Sequence, residues 1–190
     1  MKSLLFFVLL IPAFSCGVRY RFSKSSDTLL DTSFIYTLPY PKGTTHLLIQ
    51  NYNSLLSHKG RLNLDFKMEQ GSAVTASRAG VVTSVQESFS KGGLSKKYLK
   101  KANSVIIRHS DGTNAMYGHL RHLGAAVEVG DKVVTGELLG YSGSVGFSAF
   151  PHLHFVVWGP TRKGRSSLPT RFHTKKGPEY LRTGRWYRSI

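Results

Sequence analysis

The segment Pro151–Trp158, which reads Pro-His-Leu-His-Phe-Val-Val-Trp, constrains the fold more than any other part of the chain. Its apolar and β-branched residues are typical of a strand in the interior of a sheet. Alternate side chains on a strand share a face, so His152 and His154 project the same way at close quarters. Such a pair indicates either a metal or proton-transfer site or two buried polar groups satisfied by the backbone.

Short apolar runs separated by glycine and polar turns follow from residue 34 onward. We predict strands at Leu47–Gln50, Ala79–Val85, Ser104–His109, Asn114–His119, Lys132–Val134, Glu137–Tyr141 and Leu153–Trp158. Asp111-Gly112, between two of these runs, is a two-residue hairpin signal. Helical periodicity is limited to a short turn near Leu94–Leu99. The pattern predicts an antiparallel all-β domain over residues 34–190.

The N-terminus carries an export signal. Lys2 precedes the apolar run Leu4–Ile11, and a small-x-small cleavage site follows, so residues 1–15 are predicted to be a signal peptide. Cys16 would then be the first mature residue. The same segment resembles a loose lipoprotein box, so Cys16 is either acylated or left free after ordinary cleavage. Residues 16–33, rich in Ser, Arg and Lys, are predicted to be a tether.

Two features of the composition limit the function. Cys16 is the single cysteine, so core packing must hold the fold without an internal disulfide. The net charge is +16, and a field of that sign concentrates polyanions at the surface. The C-terminal residues 161–190 have one acidic residue, Glu179, and nine basic ones: Arg162, Lys163, Arg165, Arg171, Lys175, Lys176, Arg182, Arg185 and Arg188. For an exported chain the expected partner is an anionic cell-wall or membrane surface rather than nucleic acid.

Three histidine motifs occur in a fixed order along the chain. They are Ser57-His58-Lys59-Gly60-Arg61-Leu62-Asn63-Leu64-Asp65-Phe66, Met116-Tyr117-Gly118-His119-Leu120 and Pro151-His152-Leu153-His154-Phe155. Together with the sequence that connects them, these motifs resemble the M23 zinc peptidases, the lysostaphin and LytM-like cell-wall endopeptidases. The resemblance implies a compact LytM-like peptidase domain with a cleft over antiparallel sheets.

The resemblance also implies the roles of five residues. His58, Asp65 and His154 would hold one Zn²⁺ per chain, and His119 and His152 would flank the metal as catalytic groups. The spacing departs from the commoner family pattern, because six residues rather than three separate His58 from Asp65. Two imidazoles and one carboxylate also suit Zn²⁺ on chemical grounds, with a fourth position left open.

Other side chains bear on the chemistry. None of the five glutamates lies beside a histidine motif, so histidine is the natural general base near neutral pH. Tyr52 lies six residues before His58, where the family can place an oxyanion donor, although a half-buried structural tyrosine explains it as well. Gly143 and Gly146 precede the His-x-His strand and predict a loop at the cleft rim. The histidines outside the motifs are predicted at the surface or in hairpins: His46, His109, His122 and His173.

These observations predict an exported zinc endopeptidase that hydrolyses peptide bonds in peptidoglycan stems or cross-bridges. Two alternatives stay open. One is a non-catalytic protein of the same fold that binds wall or activates an amidase. The other is an exported basic protein that binds polyanions and whose histidines are structural.

Overall fold

The computed structural model describes residues 34–52, 60–161 and 164–190. The strands in these ranges are β1 (Ile35–Tyr36), β2 (Thr45–Gln50), β3 (Asn63–Lys67), β4 (Ala73–Thr75), β5 (Gly80–Gln86), β6 (Ser104–Arg108), β7 (Asn114–Gly118), β8 (Leu120–Ala125), β9 (Lys132–Val133), β10 (Leu138–Ser142), β11 (His152–Thr161), β12 (Gly164–Ser167), β13 (Arg171–Thr174), β14 (Gly177–Glu179) and β15 (Arg185–Arg188). A 3-10 helix, Lys96–Tyr98, interrupts them. The predicted signal peptide, the tether and His58 lie outside the described residues.

The strands form one large sheet and two small ones. The large sheet has the order β15-β2-β3-β11-β7-β6-β5-β9. β12 pairs with the C-terminal part of β11. The small sheets have the orders β4-β10-β8 and β1-β13-β14. The pairings are antiparallel, as predicted, except that β1 runs parallel to β13. The prediction of an antiparallel all-β fold is therefore confirmed, with one parallel pair added.

The central strand β11 separates the core from the site. Leu153, Phe155 and Val157 alternate along it and are almost completely buried. The Phe155 ring packs edge-on against Tyr117 and Phe172, with centroids 5.3 and 5.7 Å away. Burial of this face fixes the register of the strand, because a slip of one residue would turn the apolar set outward. The histidines therefore have to occupy the opposite face.

The hairpin between β6 and β7 forms as predicted, but its loop is longer. The His109 amide donates to the Thr113 carbonyl at 2.8 Å, which leaves the three residues 110–112 in the loop instead of two. Gly112 takes a φ of 81°, and the Asp111 carboxylate accepts the Thr113 amide at 2.9 Å. This carboxylate stabilises a turn followed by a left-handed glycine, a common three-residue connection. His109 lies in the hairpin as predicted, yet it is buried.

The predicted strands agree with the observed ones to within two residues at each end, except that β11 continues three residues beyond the predicted Trp158, to Thr161. The short turn expected near Leu94–Leu99 is the 3-10 helix Lys96–Tyr98. No helix among the described residues is long and apolar enough to cross a membrane.

Candidate active site

Three central strands bring the site residues into one row. In the register of the sheet, His154 on β11 is paired with Asp65 on β3 and with Gly118 on β7. All three lie on the face opposite the core, because their neighbours Leu64, Tyr117 and Phe155 point inward and are buried. Backbone pairing alone thus places two of the predicted metal ligands side by side.

The carboxylate and the imidazole of this row are in direct contact. Nδ1 of His154 lies 2.7 Å from Oδ1 of Asp65. The second oxygen, Oδ2, accepts a hydrogen bond of 3.0 Å from the Gln50 side-chain amide. The Asp65 side chain is 3% exposed and that of His154 17%, so the pair is open to solvent from the histidine side. An imidazole nitrogen and a carboxylate oxygen consequently meet at the same accessible point.

Gly118 leaves room beside the His154 ring. A Cβ on Gly118 would lie 3.4 Å from Cβ and 3.7 Å from Cδ2 of His154, which are ordinary contact distances. The next residue, His119, has a φ of 63°, which places a histidine in the left-handed region. Such a conformation costs roughly 1–3 kcal/mol and persists only where the surrounding structure fixes it. This conformation changes the chain direction between β7 and β8 and directs the His119 ring toward His154.

The two remaining imidazoles, of His119 and His152, stack beside the Asp65–His154 pair. Their ring centroids are 4.5 Å apart, and the His119 centroid is 5.9 Å from that of His154. Nε2 of His152 lies 3.9 Å from Oδ1 of Asp65. Four predicted site residues therefore converge on one place in the molecule.

Backbone carbonyls orient both of these rings. Nδ1 of His119 is 2.8 Å from the Val145 carbonyl, and Nδ1 of His152 is 2.9 Å from the Phe150 carbonyl. A carbonyl oxygen only accepts, so each Nδ1 carries the hydrogen and donates it. In the neutral rings the lone pair is then on Nε2, which is the atom able to take a proton.

The electrostatics favour a neutral His119. Burial, together with the neighbouring His152 ring, lowers the pKa of His119 to about 4. Burial acts this way because it disfavours the charged imidazolium. At neutral pH His119 is thus an unprotonated base.

The predicted metal set is only partly within the described residues. Asp65 and His154 come together, whereas His58 lies outside the ranges that the structure describes. Among the described residues, no group of three His, Cys, Asp or Glu side chains is arranged to hold a metal ion. The donor types fit Zn²⁺, since a carboxylate oxygen and an imidazole nitrogen are ligands that zinc accepts.

Tyr52 lies in a buried environment. Its hydroxyl donates to the Thr170 carbonyl at 2.9 Å and accepts the Thr170 amide at 2.8 Å. Burial raises the pKa of the phenol, in spite of these bonds. The contacts with Thr170 match the structural alternative for Tyr52, and the oxyanion role stays a prediction.

The glycines predicted at the rim admit the chain's own backbone. A Cβ on Gly143 would lie 2.7 Å from the Arg121 backbone, and one on Gly146 would lie 2.8 Å from Ala102. The Gly143 carbonyl also accepts the His152 amide at 3.2 Å. Gly143 therefore brings the loop before β11 close against β8, and Gly146 brings it close against the segment before β6.

Sequence reasoning missed three contributors to the site. Gln50 appeared only as the end of a predicted strand, although it donates a hydrogen bond to Oδ2 of Asp65. The Val145 and Phe150 carbonyls are backbone groups and leave no mark on the residue pattern. Gln50 had one usable signal, because it is a polar residue at the end of an otherwise apolar strand.

The fold and the site define a class of protein: an all-β hydrolase-like domain with a carboxylate, a paired histidine and two further imidazoles in one place. The profile of peptidase family M23 matches residues 57–167, which is more than half of the chain. The chain belongs to peptidase family M23.

Similar proteins agree with this assignment. The DD-carboxypeptidase/endopeptidase Mpg of Neisseria meningitidis serogroup B is 37% identical over 118 residues, covering 60% of this chain and 24% of that protein. Lysostaphin of Staphylococcus simulans is 36% identical over 93 residues, covering 48% of this chain and 17% of lysostaphin. The chain thus spans about a quarter or less of the length of these curated relatives.

A solved structure supports the same fold. The catalytic domain of the prophage-encoded M23 protein EnpA from Enterococcus faecalis, crystallised as a variant, superposes with a TM-score of 0.51 at 26% identity. The match covers 68% of this chain and 92% of that domain. The likeness therefore spans almost all of a domain described as catalytic.

Proposed function

We propose that this chain is a zinc-dependent endopeptidase that hydrolyses peptide bonds in bacterial peptidoglycan stems or cross-bridges. One observation carries the proposal. The Asp65 carboxylate and Nδ1 of His154 meet at 2.7 Å beside two imidazoles whose Nδ1 atoms are both bound by backbone carbonyls. A donor pair next to two oriented bases is what hydrolysis of a peptide bond requires.

Asp65, His154 and His58 are the residues proposed to hold one Zn²⁺. Bound zinc supplies Lewis acidity, which polarises a peptide carbonyl and activates water for attack. Gln50 orients the carboxylate through Oδ2 and leaves Oδ1 facing His154. Such support of a ligand by a neighbouring hydrogen bond fixes the direction of its lone pairs.

His119 and His152 are proposed to manage protons and charge. In its neutral form each ring presents an unprotonated Nε2, because its one hydrogen is on Nδ1 and is donated to a carbonyl. One of the two would take the proton of the attacking water and return it to the leaving amine. In its protonated form, either ring would stabilise the negative charge that develops on the carbonyl oxygen.

The substrate class rests on the relatives. Mpg is named a DD-carboxypeptidase/endopeptidase, and a glycyl-glycine endopeptidase from Staphylococcus capitis is 34% identical over 93 residues. We extend peptide-bond hydrolysis in the cell wall to this chain and place it outside the cytoplasm. The strongly positive net charge supports residence on an anionic cell-wall or membrane surface.

The test is mass spectrometry of muropeptides released from purified sacculi, with and without a chelator. We expect peptide cleavage that stops with the chelator and returns with Zn²⁺. His152→Ala should abolish cleavage while zinc, measured by elemental analysis, stays at one per chain. His154→Ala is the matched variant and should lose both. Stoichiometric zinc without any released peptide would instead favour a non-catalytic protein that binds wall or activates an amidase.

Export is proposed on the sequence alone. Residues 1–15 would be removed, residues 16–33 would tether the domain at 34–190, and Cys16 would carry a lipid. Cys16→Ser should then move the protein from the membrane fraction to the soluble fraction. Identical fractionation of both forms would leave a soluble secreted product.

A further inference from the structure

A second concave surface lies at the edge of the large sheet, away from His119, His152 and His154. It is a groove of about 380 Å³ between the edge strand β15 and the hairpin β13–β14. Six of the side chains that line it matter for recognition: Lys175, Lys176, Glu179, Arg185, Trp186 and Arg188. We call this surface the basic groove.

The strand that carries the basic groove is held firmly. The Tyr40 hydroxyl donates to the Tyr187 carbonyl at 2.8 Å, and the Tyr187 hydroxyl accepts the Arg182 amide at 2.7 Å. The Gly43 amide donates to the Ser189 carbonyl at 2.9 Å, directly after the strand. The backbone that presents Trp186 is thus fixed before any ligand arrives, which lowers the entropy that binding must overcome.

The cations of the basic groove outnumber its one carboxylate. Lys175, Lys176, Arg185 and Arg188 form no ion pair with a carboxylate anywhere in the described part of the chain. Glu179 is the acidic residue of the groove, and its carboxylate is hydrogen-bonded to the Thr174 hydroxyl at 2.8 Å. Four cations around a concave surface repel one another and attract an anion.

Trp186 adds an exposed aromatic face. Its side chain is 67% exposed, although an indole of this size is usually well buried in a folded protein. Because Trp186 and Arg188 are two residues apart on β15, they lie on the same face of the strand. A flat apolar ring beside a guanidinium offers stacking and a planar anion contact to one ligand.

We propose that the basic groove binds an acidic glycan, with a sugar ring stacked on Trp186, its carboxylate held by Arg188 on the same face of β15, and Arg185 adding positive charge at the edge of the groove. The Glu179 carboxylate would accept hydrogen bonds from sugar hydroxyls, a contact that a bare phosphodiester chain cannot donate. The concave shape also suits a polymer chain better than a bilayer, which calls for apolar side chains that project outward. Assigning this glycan to the cell wall rests on the proposed function, whereas the binding itself does not.

The basic groove is separate from the catalytic row. Thr45, at one end of β2, lines the groove, and Gln50, at the other end, contacts Asp65. Five residue-to-residue steps of extended strand place these ends about 17 Å apart. Trp186 is in one row with Leu47, Lys67 and His152 and is three strands, or about 14 Å, from His152, so a short probe can occupy the groove without contact with the site histidines.

The test uses the mature protein with Trp158→Phe as the parent, so that Trp186 is the single indole reporter. The probe is a hyaluronan tetrasaccharide, an acidic sugar chain without a peptide bond, titrated against Trp186 fluorescence at low salt. Failure of binding is thus read separately from failure of hydrolysis. Chitotetraose is the neutral comparison, and phosphatidylglycerol vesicles and a thymidine oligonucleotide represent the other anionic partners.

We expect saturable binding of hyaluronan and at least tenfold weaker binding of chitotetraose. Arg185→Gln with Arg188→Gln should raise the Kd for hyaluronan about tenfold. The charge-matched control is Lys96→Gln with Lys100→Gln, two exposed lysines outside the groove, and it should leave the Kd unchanged. Equal melting temperatures would show that each variant is folded.

Three results would overturn the inference. Equal affinity for chitotetraose would show that the negative charge of the sugar chain does not contribute to binding. An equal loss of affinity in the lysine control would show that only net charge matters. Tighter binding of vesicles or the oligonucleotide, abolished by the arginine variant, would assign the groove to lipid or nucleic acid.

Discussion

Replacement of Gly143 by alanine should test whether the loop before β11 sets the geometry of the site. The added Cβ would lie 2.7 Å from both N and Cα of Arg121, which are backbone atoms that cannot rotate away. The φ of Gly143 is outside the left-handed region, so the backbone conformation itself accepts alanine. The only obstacle is space.

The size of the effect follows from the distances. Relief of the contact requires the loop and β8 to separate by about 0.7 Å to reach ordinary contact. Overpacking of this kind costs about 1–3 kcal/mol. For a domain of this size, that lowers the melting temperature by roughly 3–10 °C. The same shift moves the partners of His152 and His119, and a misplacement approaching 1 Å can cost about 100-fold in rate.

The assay combines thermal unfolding with kcat on sacculi, and Gly118→Ala is the matched control. A Cβ on Gly118 meets its nearest atom, Cβ of His154, at 3.4 Å, which is ordinary contact. Gly118→Ala should therefore stay within about 1 kcal/mol of the parent, helped by the lower entropy of the unfolded chain. A Gly143→Ala protein that melts and turns over like the parent would refute the role of the loop, as would an equal loss in Gly118→Ala.

Three further predictions concern stability. Tyr52→Phe removes both hydrogen bonds to Thr170 and should cost about 1–3 kcal/mol of unfolding free energy; a fall in kcat beyond that of the folded fraction would support the oxyanion role instead. Burial lowers the pKa of His109 below its unfolded value of 6.5, so its stabilising contribution is complete above that pH and is lost as the pH falls toward the folded-state pKa. Denaturant unfolding between pH 7 and pH 5 should show a smaller decline in His109→Leu. Burial would raise the pKa of Asp111, but hydrogen bonds from Thr113 and the charge of Arg78 outweigh it, and the pKa is lowered. Asp111→Asn should therefore remove stability that is present above about pH 4. In the same titration, its unfolding free energy should fall less steeply with acidification than that of the parent.

The parts of the fold that sequence could predict are those set by alternation. Leu153, Phe155 and Val157 recur at every second position of their segment, so residue types alone assign its buried face. The motif places His119 at a strand end. Its φ of 63° could not be predicted, because a histidine in the left-handed region is fixed by tertiary contacts. The three-residue hairpin loop was misjudged because the Asp111 side chain, rather than the Asp-Gly pair alone, sets the turn.

The site likewise contains residues that sequence motifs predict and others that only the folded structure shows. Asp65 and the two histidines of β11 belong to motifs, and the register of the strands brings them together. Gln50 and the carbonyls of Val145 and Phe150 act through geometry that residue types do not encode. Such contributors can be found only when long-range pairing is known.

The carbonyls of Val145 and Phe150 stand at the two ends of a single six-residue arc, and each receives the hydrogen of one imidazole. One short segment of backbone, residues 145–150, thus sets the direction of both rings.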